Sequence, residues 1–409
     1  MHVPDGFINA PVSLAAGAVA AGAVAVSLRG ARRELGGTSR SSAAESGGER
    51  TAPLAGLVAA FIFAVQMLNF PVAAGTSGHL LGGALAAILV GPFTGVLCVS
   101  VVLLMQGLLF ADGGLTALGV NITVMAVVTT VVAYAIFRGL AKVLPRGRRS
   151  VTAAAFTAAL VSVPAAAAAF TLVYAIGGTT EVSIGKVATA MIGVHVLIGV
   201  GEAAITALTV GAVIAVRPDL VHGARGLTAP LKLRVGGELV DAPAAPGAGA
   251  AAPLPAAAAR SHRKLWAAGL VASLVLAGFV SFYASQEPDG LEKVAHDKGF
   301  DKGEKEHGAA DSPLADYGVK DITDARLSGG LAGVIGVGVT VVAGSAVFWA
   351  VRRRRDGEGP DAVEAGPAST AVDTASAPTA TAPTATAPTG SAPTTSTPTS
   401  SATKPAENA

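Results

Sequence analysis

The first residues of the chain, Met1-His2-Val3-Pro4-Asp5, contain the donor atoms of a compact transition-metal chelate. The terminal amine, the deprotonated peptide nitrogen of His2 and the imidazole Nδ1 of His2 can close fused chelate rings around one ion. Three nitrogens are then held in one plane, which suits Ni(II) or Cu(II), and also Co(II), better than Zn(II) or Mg(II). The plane still needs a fourth donor.

A second polar segment, Asn69 to Leu80, offers that donor. Its proline and glycines predict a turn. His79 then stands directly before the apolar segment 80–91, on the same side of the predicted helices as the amino terminus. We expect His79 to complete the plane. The alternative is a histidine that only caps a helix or fills an interface.

Further polar residues lie near these segments or within apolar stretches. We consider Asp5, Asn69, Ser77, Asp112, Asn121, His195 and Glu202 as residues that orient the site or hold the helices together, because metal ligands usually need such support. His195 and Glu202 are seven residues apart and lie on nearly one face of a helix. An ionisable residue at membrane depth is a functional candidate, although we favour a role in fixing the bundle.

The 409-residue chain has the composition of a membrane protein. Hydrophobic residues make up 51% and charged residues 14%, where soluble domains carry roughly 25% charged residues. This composition argues against a simple soluble enzyme. A formal net charge of +2 without a basic aromatic stretch argues against nucleic acid as a partner. The single cysteine, Cys98, permits neither an intrachain disulfide nor a cysteine metal cluster.

Apolar stretches predict nine membrane-crossing segments, on the criterion of about 20 apolar residues per crossing. They cover residues 11–28, 53–71, 80–91, 93–110, 115–137, 151–176, 187–216, 264–284 and 329–351. The segment 80–91 is short, but Gly91-Pro92 separates it from the next one, because proline lacks an N–H and clashes with the preceding turn. We predict an all-α, polytopic membrane protein with a seven-helix bundle and a C-terminal two-helix transmembrane unit.

The distribution of Lys and Arg supports this break and orients the chain. With nine crossings, one membrane face receives the basic groups near residues 29–50, 138–149, 217–234, 260–264 and 352–355. Cytoplasmic loops collect such residues, so we expect an external amino terminus and a cytoplasmic carboxyl terminus in the cell membrane, with lipid around the helices. No positive charge precedes the first apolar run, which argues against a cleaved signal peptide and for retention of Met1.

Composition divides the chain into four parts. They are the bundle at 1–217, a Pro/Ala/Gly-rich cytoplasmic linker at 218–262, the two-helix unit at 263–355, and a disordered cytoplasmic tail at 356–409. Between the two helices of that unit lies an external loop with an excess of acids, at 286–328. We interpret this loop, including His296 and His307, as a solvated charged segment.

Together these motifs resemble the CbiM/NikM family, the substrate-binding membrane components of energy-coupling factor cobalt and nickel importers. The resemblance covers about residues 1–217 and rests on Met1 to Phe7, Phe70-Pro71, Gly75 to Leu85, Ala111 to Gly114, Gly193 to His195 and Gly199 to Ala203. It implies that the metal is held by the amine of Met1, the amide and imidazole of His2, and His79. The unit from about 264 to 355 resembles the accessory subunit CbiN or the related domain named for a Pro-Asp-Gly-Leu-Glu motif, here Pro288 to Glu292.

The resemblance implies a transport component that takes up Co(II) or Ni(II), metals linked to cobalamin biosynthesis and nickel supply, without a resident cofactor. Its expected partners are a transmembrane coupling (T) component and ABC-type ATPase subunits. The chain itself lacks a phosphate-binding loop, because its closest string has Thr180 in place of the first glycine and Val187 in place of the Ser/Thr that would hold magnesium. We therefore expect no enzymatic activity and ATP hydrolysis only in separate subunits.

Two alternatives stay open at this point. In the first, the same histidines only tie loops together in a structural or metal-sensing membrane protein. In the second, His195 and Glu202 serve an intramembrane enzyme, which lacks a suitable nucleophile or a full set of metal ligands. The sequence does not choose between nickel and cobalt, since both accept nitrogen donors.

Overall fold

The computed structural model describes residues 1–35, 51–73, 75–224, 232–235, 238–241 and 262–356. Its main helices are α1 (Ala10–Leu35), α2 (Thr51–Gln66), α3 (Gly83–Val90), α4 (Pro92–Leu109), α5 (Leu118–Val143), α6 (Arg148–Gly177), α7 (Ile184–Val216), α8 (His262–Gly278), α9 (Gly290–Lys298) and α10 (Ala325–Asp356). Two antiparallel hairpins pair β1 (Phe70–Ala73) with β2 (Thr76–Gly78) and β3 (Lys232–Val235) with β4 (Glu238–Asp241). The described structure is therefore almost entirely helical, as predicted.

Seven helical stretches of the described chain are long and apolar enough to cross a membrane. They are α1, α4, α5, α6, α7, Lys264–Tyr283 at α8, and Ala325–Val351 within α10. The apolar part of α2, Pro53–Gln66, is shorter, and α3 has only eight residues. The nine predicted crossings overlap with α1 to α8 and α10. The prediction of a helical, multi-span membrane protein is therefore confirmed.

The break between α3 and α4 forms at Gly91-Pro92, as the sequence predicted. Gly91 has φ 104° and ψ 157°, and Pro92 takes the first helical position of α4, where its missing N–H costs no helical hydrogen bond. At the end of α1, the carboxylate of Glu34 accepts hydrogen bonds from the N–H groups of Phe93 and Thr94, at 3.2 and 2.7 Å. This carboxylate supplies the acceptors that the first turn of α4 lacks.

Small residues let α6 and α7 approach closely. The buried face of α6 is rich in alanine: Ala154, Ala155, Ala158, Ala159, Ala166 and Ala167. Pro164, inside α6, has no N–H to donate to the carbonyl of Leu160. Gly199 of α7 lies against that carbonyl, and a Cβ at Gly199 would be 2.9 Å from its oxygen.

The two-helix unit packs on the bundle through α2. Gly56 of α2 lies against Ser345 of α10, where a Cβ would be 2.4 Å from Ser345 Oγ. Gly269 of α8 lies against Leu57 of α2, where a Cβ would be 2.7 Å from Leu57 Cδ2. Both helices of the unit therefore contact the same bundle helix.

The region predicted as a linker contains local structure that its composition did not indicate. Residues 218–224 form two short 3₁₀ turns, in which Val221 and Ala224 are buried. The hairpin β3–β4 follows, with Lys232 opposite Asp241. The rest of the linker prediction, at 225–231, 236–237 and 242–261, and the predicted tail beyond 356 lie outside the described residues. The domain boundaries stay predictions.

The contact between α3 and α5 gives a stability test. A Cβ on Gly83 would overlap the Oγ1 atom of Thr129, so Gly83→Ala should lower the free energy of unfolding by about 1–3 kcal/mol. The matched control is Gly139→Ala in α5, because a Cβ at this position would meet no atom within 4 Å. This variant should raise the free energy of unfolding by up to about 1 kcal/mol, since alanine has a higher helix propensity than glycine. Thermal unfolding of both variants in detergent checks this, and equal stability would contradict the packing.

Candidate metal centre

The amino-terminal segment lies inside the bundle and is held by its backbone. Val3 donates its N–H to Asn121 Oδ1 at 2.8 Å, and its carbonyl accepts from Asn121 Nδ2 at 3.1 Å and from the Gly114 N–H at 2.9 Å. Met1 is only 3% exposed. Asn121 therefore holds the amino-terminal segment, next to the π-helical stretch of α5, a type of irregularity that is frequent at functional sites.

Asp5 fixes the segment a few residues further on. Its carboxylate accepts hydrogen bonds from the N–H groups of Leu115 and Thr116, at 3.2 and 2.7 Å, and from the Thr116 hydroxyl at 2.5 Å. The first turn of α5 begins just after these residues. Asp5 therefore fixes the amino-terminal segment against the residues just before α5.

His79 follows the hairpin β1–β2 and is buried. Its Nδ1 lies 3.0 Å from the carbonyl of Leu80. Since a carbonyl can only accept, Nδ1 carries the proton, and in the neutral ring Nε2 presents its lone pair. That lone pair faces the amine of Met1, at 2.6 Å.

Met1 N and His79 Nε2 lie at the distance of a short hydrogen bond, 2.6 Å, which is close to the spacing of two neighbouring metal ligands. With metal–nitrogen bonds of about 2.0 Å, adjacent donors in a square plane are roughly 2.8 Å apart. Two of the four predicted nitrogens, 78 positions apart in the chain, thus lie together and buried.

His2 lies beside this pair, but its imidazole has other partners. Its ring stacks on His79 with centroids 5.0 Å apart. Nδ1 lies 3.1 Å from Asp112 Oδ1, and Nε2 lies 3.2 Å from Gln106 Oε1. Burial lowers the pKa of His2 to about 4 against the opposing effect of Asp112, while both ring nitrogens face oxygens that only accept hydrogen bonds. A complete chelate requires Nδ1 to leave Asp112 and turn towards the ion.

Asp112 belongs to a network that the sequence analysis identified only in part. Its Oδ2 accepts a hydrogen bond from the hydroxyl of Tyr317 at 2.6 Å, and that hydroxyl accepts from Gln106 Nε2 at 2.9 Å. Burial, followed by the charge of Asp112, raises the pKa of Tyr317 well above its usual value. Tyr317 comes from the outer loop of the two-helix unit and was not predicted as a site residue.

Asp289 is the second residue that sequence analysis missed. Its Oδ2 lies 2.5 Å from the amine of Met1 and 3.6 Å from His79 Nε2. Burial alone would raise the pKa of Asp289, but the terminal ammonium and His79 outweigh it and hold the pKa well below its usual range. The one available signal was the position of Asp289 in the Pro-Asp-Gly-Leu-Glu motif, which carries no information about a partner 288 residues away.

The hairpin that precedes His79 joins the bundle to the outer loop. The N–H of Ser77 donates to the carbonyl of Pro288 at 2.9 Å. The hydroxyl of Ser77 donates to the carbonyl of Glu287 at 2.7 Å. Asn69 contributes its carbonyl, which accepts from the N–H of Ser285 at 2.7 Å. Ser77 and Asn69 therefore support the site through the accessory unit.

The outer loop covers the site and is not simply the solvated segment that its charge suggested. The N–H of Lys305 donates to the carbonyl of Asp5 at 2.8 Å, and His307 Nε2 lies 3.2 Å from the carbonyl of Gly113. The side chain of His296, in contrast, is 81% exposed, as expected.

Glu202 contacts the segment that follows His79, whereas the hydrogen bond of His195 lies within α7. Glu202, buried in α7, accepts hydrogen bonds from the N–H groups of Leu81 and Gly82 at 2.7 and 3.2 Å. Nδ1 of His195 lies 2.7 Å from the carbonyl of Met191, and its Nε2 has no hydrogen-bond partner among the described residues. These contacts agree with a role in fixing the bundle.

The described residues contain no group of three or more His, Cys, Asp and Glu side chains arranged to hold a metal. The predicted chelate takes two of its four donors from the backbone, namely the amine of Met1 and the amide of His2, so this observation does not bear on it. The ligand set stays a prediction.

Glu202 allows a direct test of how the loop after His79 is held. Glu202→Ala leaves the N–H groups of Leu81 and Gly82 buried without acceptors, and each loss should cost about 1–3 kcal/mol. Thr206→Val, one turn along α7, is the matched control, because the buried Thr206 hydroxyl has no hydrogen-bond partner among the described residues. Thermal unfolding in detergent should show a large loss for the first variant and almost none for the second; equal effects would contradict this role.

Two family models match this chain. Residues 2–220 match the family described as "Cobalt uptake substrate-specific transmembrane region", and residues 263–353 match the PDGLE domain. A protein of Haloquadratum walsbyi named for metal transport is 40% identical over 221 residues, which cover 54% of this chain and 93% of that protein.

A second relative, from Archaeoglobus fulgidus, is named a fused nickel transport protein NikMN. It is 38% identical over 227 residues, which cover 54% of this chain and 68% of the relative. A crystal structure of a truncated transition metal transporter has a TM-score of 0.44 and 25% sequence identity, and covers 53% of this chain and 99% of that one. The family match spans more than half of the sequence. The chain belongs to the family of the cobalt-uptake substrate-specific transmembrane region, CbiM, and carries a PDGLE domain behind it.

Proposed function

We propose that this protein is the membrane substrate-binding component of an ATP-driven cobalt or nickel uptake transporter. The ion is captured by the amine of Met1, the amide nitrogen and imidazole of His2, and His79. One observation carries the proposal: the buried amine lies 2.6 Å from the buried Nε2 of His79, close to the spacing of two adjacent ligands.

The donor set explains the class of metal. An amine, an amide and two imidazoles form a strong planar nitrogen field, which suits Ni(II) and Co(II) and leaves out oxygen-preferring Mg(II). The cobalt in the family description and the nickel in the name of the second relative agree with this pair of metals. Copper would bind the same nitrogens at least as well, so selection in the cell also depends on which metal is available.

The charges at the two ends of the helices support an orientation in the membrane. The site lies at the start of α1 and α5 and the end of α4, while basic residues gather near the opposite ends of α1 and α5 and directly after α7: Arg29, Arg32 and Arg33, then Arg138 and Lys142, and then Arg217. Lys186, at the start of α7, is an exception. Because cytoplasmic ends collect Lys and Arg, the metal site faces outside and the carboxyl terminus lies in the cytoplasm.

The energy for transport comes from partner subunits in this proposal. The sequence nearest to a phosphate-binding loop, Ser183 to Lys186, begins the apolar helix α7, so it does not form the loop between strand and helix that cradles phosphates. A coupling component and ABC-type ATPases would supply the conformational change. They release the ion only if they favour a state in which the metal is bound more weakly.

A free amine is the sharpest requirement of the chelate. An extension of a few residues before Met1 replaces the amine with an amide, and this variant should lose metal binding. His2→Ala and His79→Ala should bind at least 10-fold more weakly, because each removes a ligand. Metal content and titration of the purified full chain, with a native amino terminus as reference, measure the effect.

The exposed His296 provides the control for these variants. His296→Ala should bind Ni(II) and Co(II) like the wild type, because its side chain is 81% exposed and away from the site. Full binding by the extended chain would refute the chelate. Unchanged binding by His2→Ala and His79→Ala, together with lower stability, would favour the structural alternative instead.

Metal loading should also release protons. Ligands bind metals in deprotonated form, so the ammonium of Met1 and the amide of His2 should together release about two protons per ion. The imidazole of His2 adds at most one proton to this count, because burial lowers its pKa to about 4. Affinity should therefore rise with pH. Calorimetry in buffers of different ionisation enthalpy counts the protons, and a count near zero would exclude both ligands.

A further inference from the structure

We propose that Asp289 is a positioning residue of the metal site, so that the two-helix unit completes a site whose ligands all come from the bundle. This inference rests on the proposed function. It assigns to the Pro-Asp-Gly-Leu-Glu motif, Pro288 to Glu292, the task of holding the terminal amine of Met1 at ligand distance from His79.

The two oxygens of Asp289 have separate tasks. Oδ1 accepts hydrogen bonds from the N–H groups of Leu291 and Glu292, at 2.7 and 2.9 Å, and so caps the start of α9. Oδ2 faces the amine of Met1 at 2.5 Å. Because the cap fixes the first oxygen, the second oxygen has a defined position above the amine.

The other residues of the motif fix Asp289 in turn. Pro288 presents its carbonyl to the N–H of Ser77 at 2.9 Å, and Glu292 Oε2 accepts from the N–H of Asp289 at 2.9 Å. Leu291 is fully buried. The motif is therefore attached on one side to the hairpin that leads to His79 and on the other to α9.

Gly290 allows the motif to approach the bundle. A Cβ at this position would lie 2.8 Å from Ile198, 2.9 Å from Val194 and 3.2 Å from Cε1 of His195. These three residues belong to α7. A side chain at Gly290 would lift the turn, and Asp289 with it, away from the amine.

The contact between carboxylate and amine is compatible with a bound ion. When the amine of Met1 binds a metal through its lone pair, it keeps two N–H groups, and Asp289 Oδ2 can accept from one of them. The divalent ion takes the place of two protons, one from the amine and one from the amide of His2, so the positive charge that faces the carboxylate stays the same. Carboxylates that hold metal ligands in this way are common around metal sites.

Burial favours this arrangement over one in which the metal expels Asp289. The residue is only 8% exposed, and its cap and motif contacts hold it in place. A buried carboxylate that lost the amine would be left without its charge partner, which is strongly unfavourable. Asp289 therefore stays on the amine as the ion binds.

The variant Asp289→Asn tests the proposal. Asparagine caps helices as well as aspartate does, so the start of α9 is kept while the negative charge at the amine is lost. We expect Ni(II) and Co(II) to bind about 10- to 100-fold more weakly. The absorption bands of the bound metal at saturation should keep their positions, because the four nitrogen ligands are unchanged. Asp289→Ser, which also keeps a capping oxygen, is the second variant.

Asp297→Asn is the matched control, since it removes one negative charge from the same helix, where Asp297 pairs with Lys293 at 2.6 Å. It should bind metal nearly like the wild type. Binding by Asp289→Asn that is equal to or tighter than that of the wild type would overturn this inference. A shifted absorption band would make Asp289 a ligand and would overturn it as well. If the wild-type chain itself binds neither metal, the proposed function fails, which is a separate result.

Discussion

The structure of the site depends on one constraint, the burial of a charged amino terminus in an apolar protein. The ammonium of Met1 has lost its water, and an isolated charge of this kind is very unfavourable inside a protein. Asp289 provides the opposite charge and His79 provides a lone pair. Because both must reach the same nitrogen, the hairpin before His79 and the loop before α9 meet at the first residue of the chain.

This convergence is maintained by polar groups that are spread over several helices. Asn121 of α5 holds the backbone of Val3, and Glu202 of α7 holds the backbone after His79. Buried hydrogen bonds of this kind are strong when every partner is present and costly when one is missing. The few polar side chains of the bundle are thus used to position backbone segments, and the backbone in turn positions the nitrogen donors.

The accessory unit has a larger part in the site than its charge and composition suggest. Tyr317 contacts the carboxylate that holds His2, Asp289 contacts the amine, and the backbone of Lys305 contacts that of Asp5. The outer loop therefore contacts Asp112, the partner of His2, and the amine of Met1, the partner of His79. In a chain where both units are fused, these contacts form within one molecule, so the loop is always present at high local concentration.

Much of the fold could be predicted from the sequence, because hydropathy, proline and basic residues act locally. The length of each apolar run predicted the positions of the helices, and Gly91-Pro92 predicted the break between α3 and α4. Because polar residues are scarce in this chain, His2 and His79 stand out as candidate ligands. Family resemblance then pointed to the ligand set, which stays a prediction. These features depend on residues that are neighbours in the chain and on how apolar each segment is. Both properties are visible in the linear sequence.

The tertiary structure alone decided the long-range partners. Nothing in the spacing of residues indicates that Asp289 lies 2.5 Å from Met1, that Tyr317 reaches Asp112, or that His2 turns its ring nitrogens to Asp112 and Gln106. Such pairs depend on how helices pack, and close packing is set by the shapes of many side chains at once. The sequence by itself determined which atoms are available to bind a metal; the packed bundle decided which of them meet.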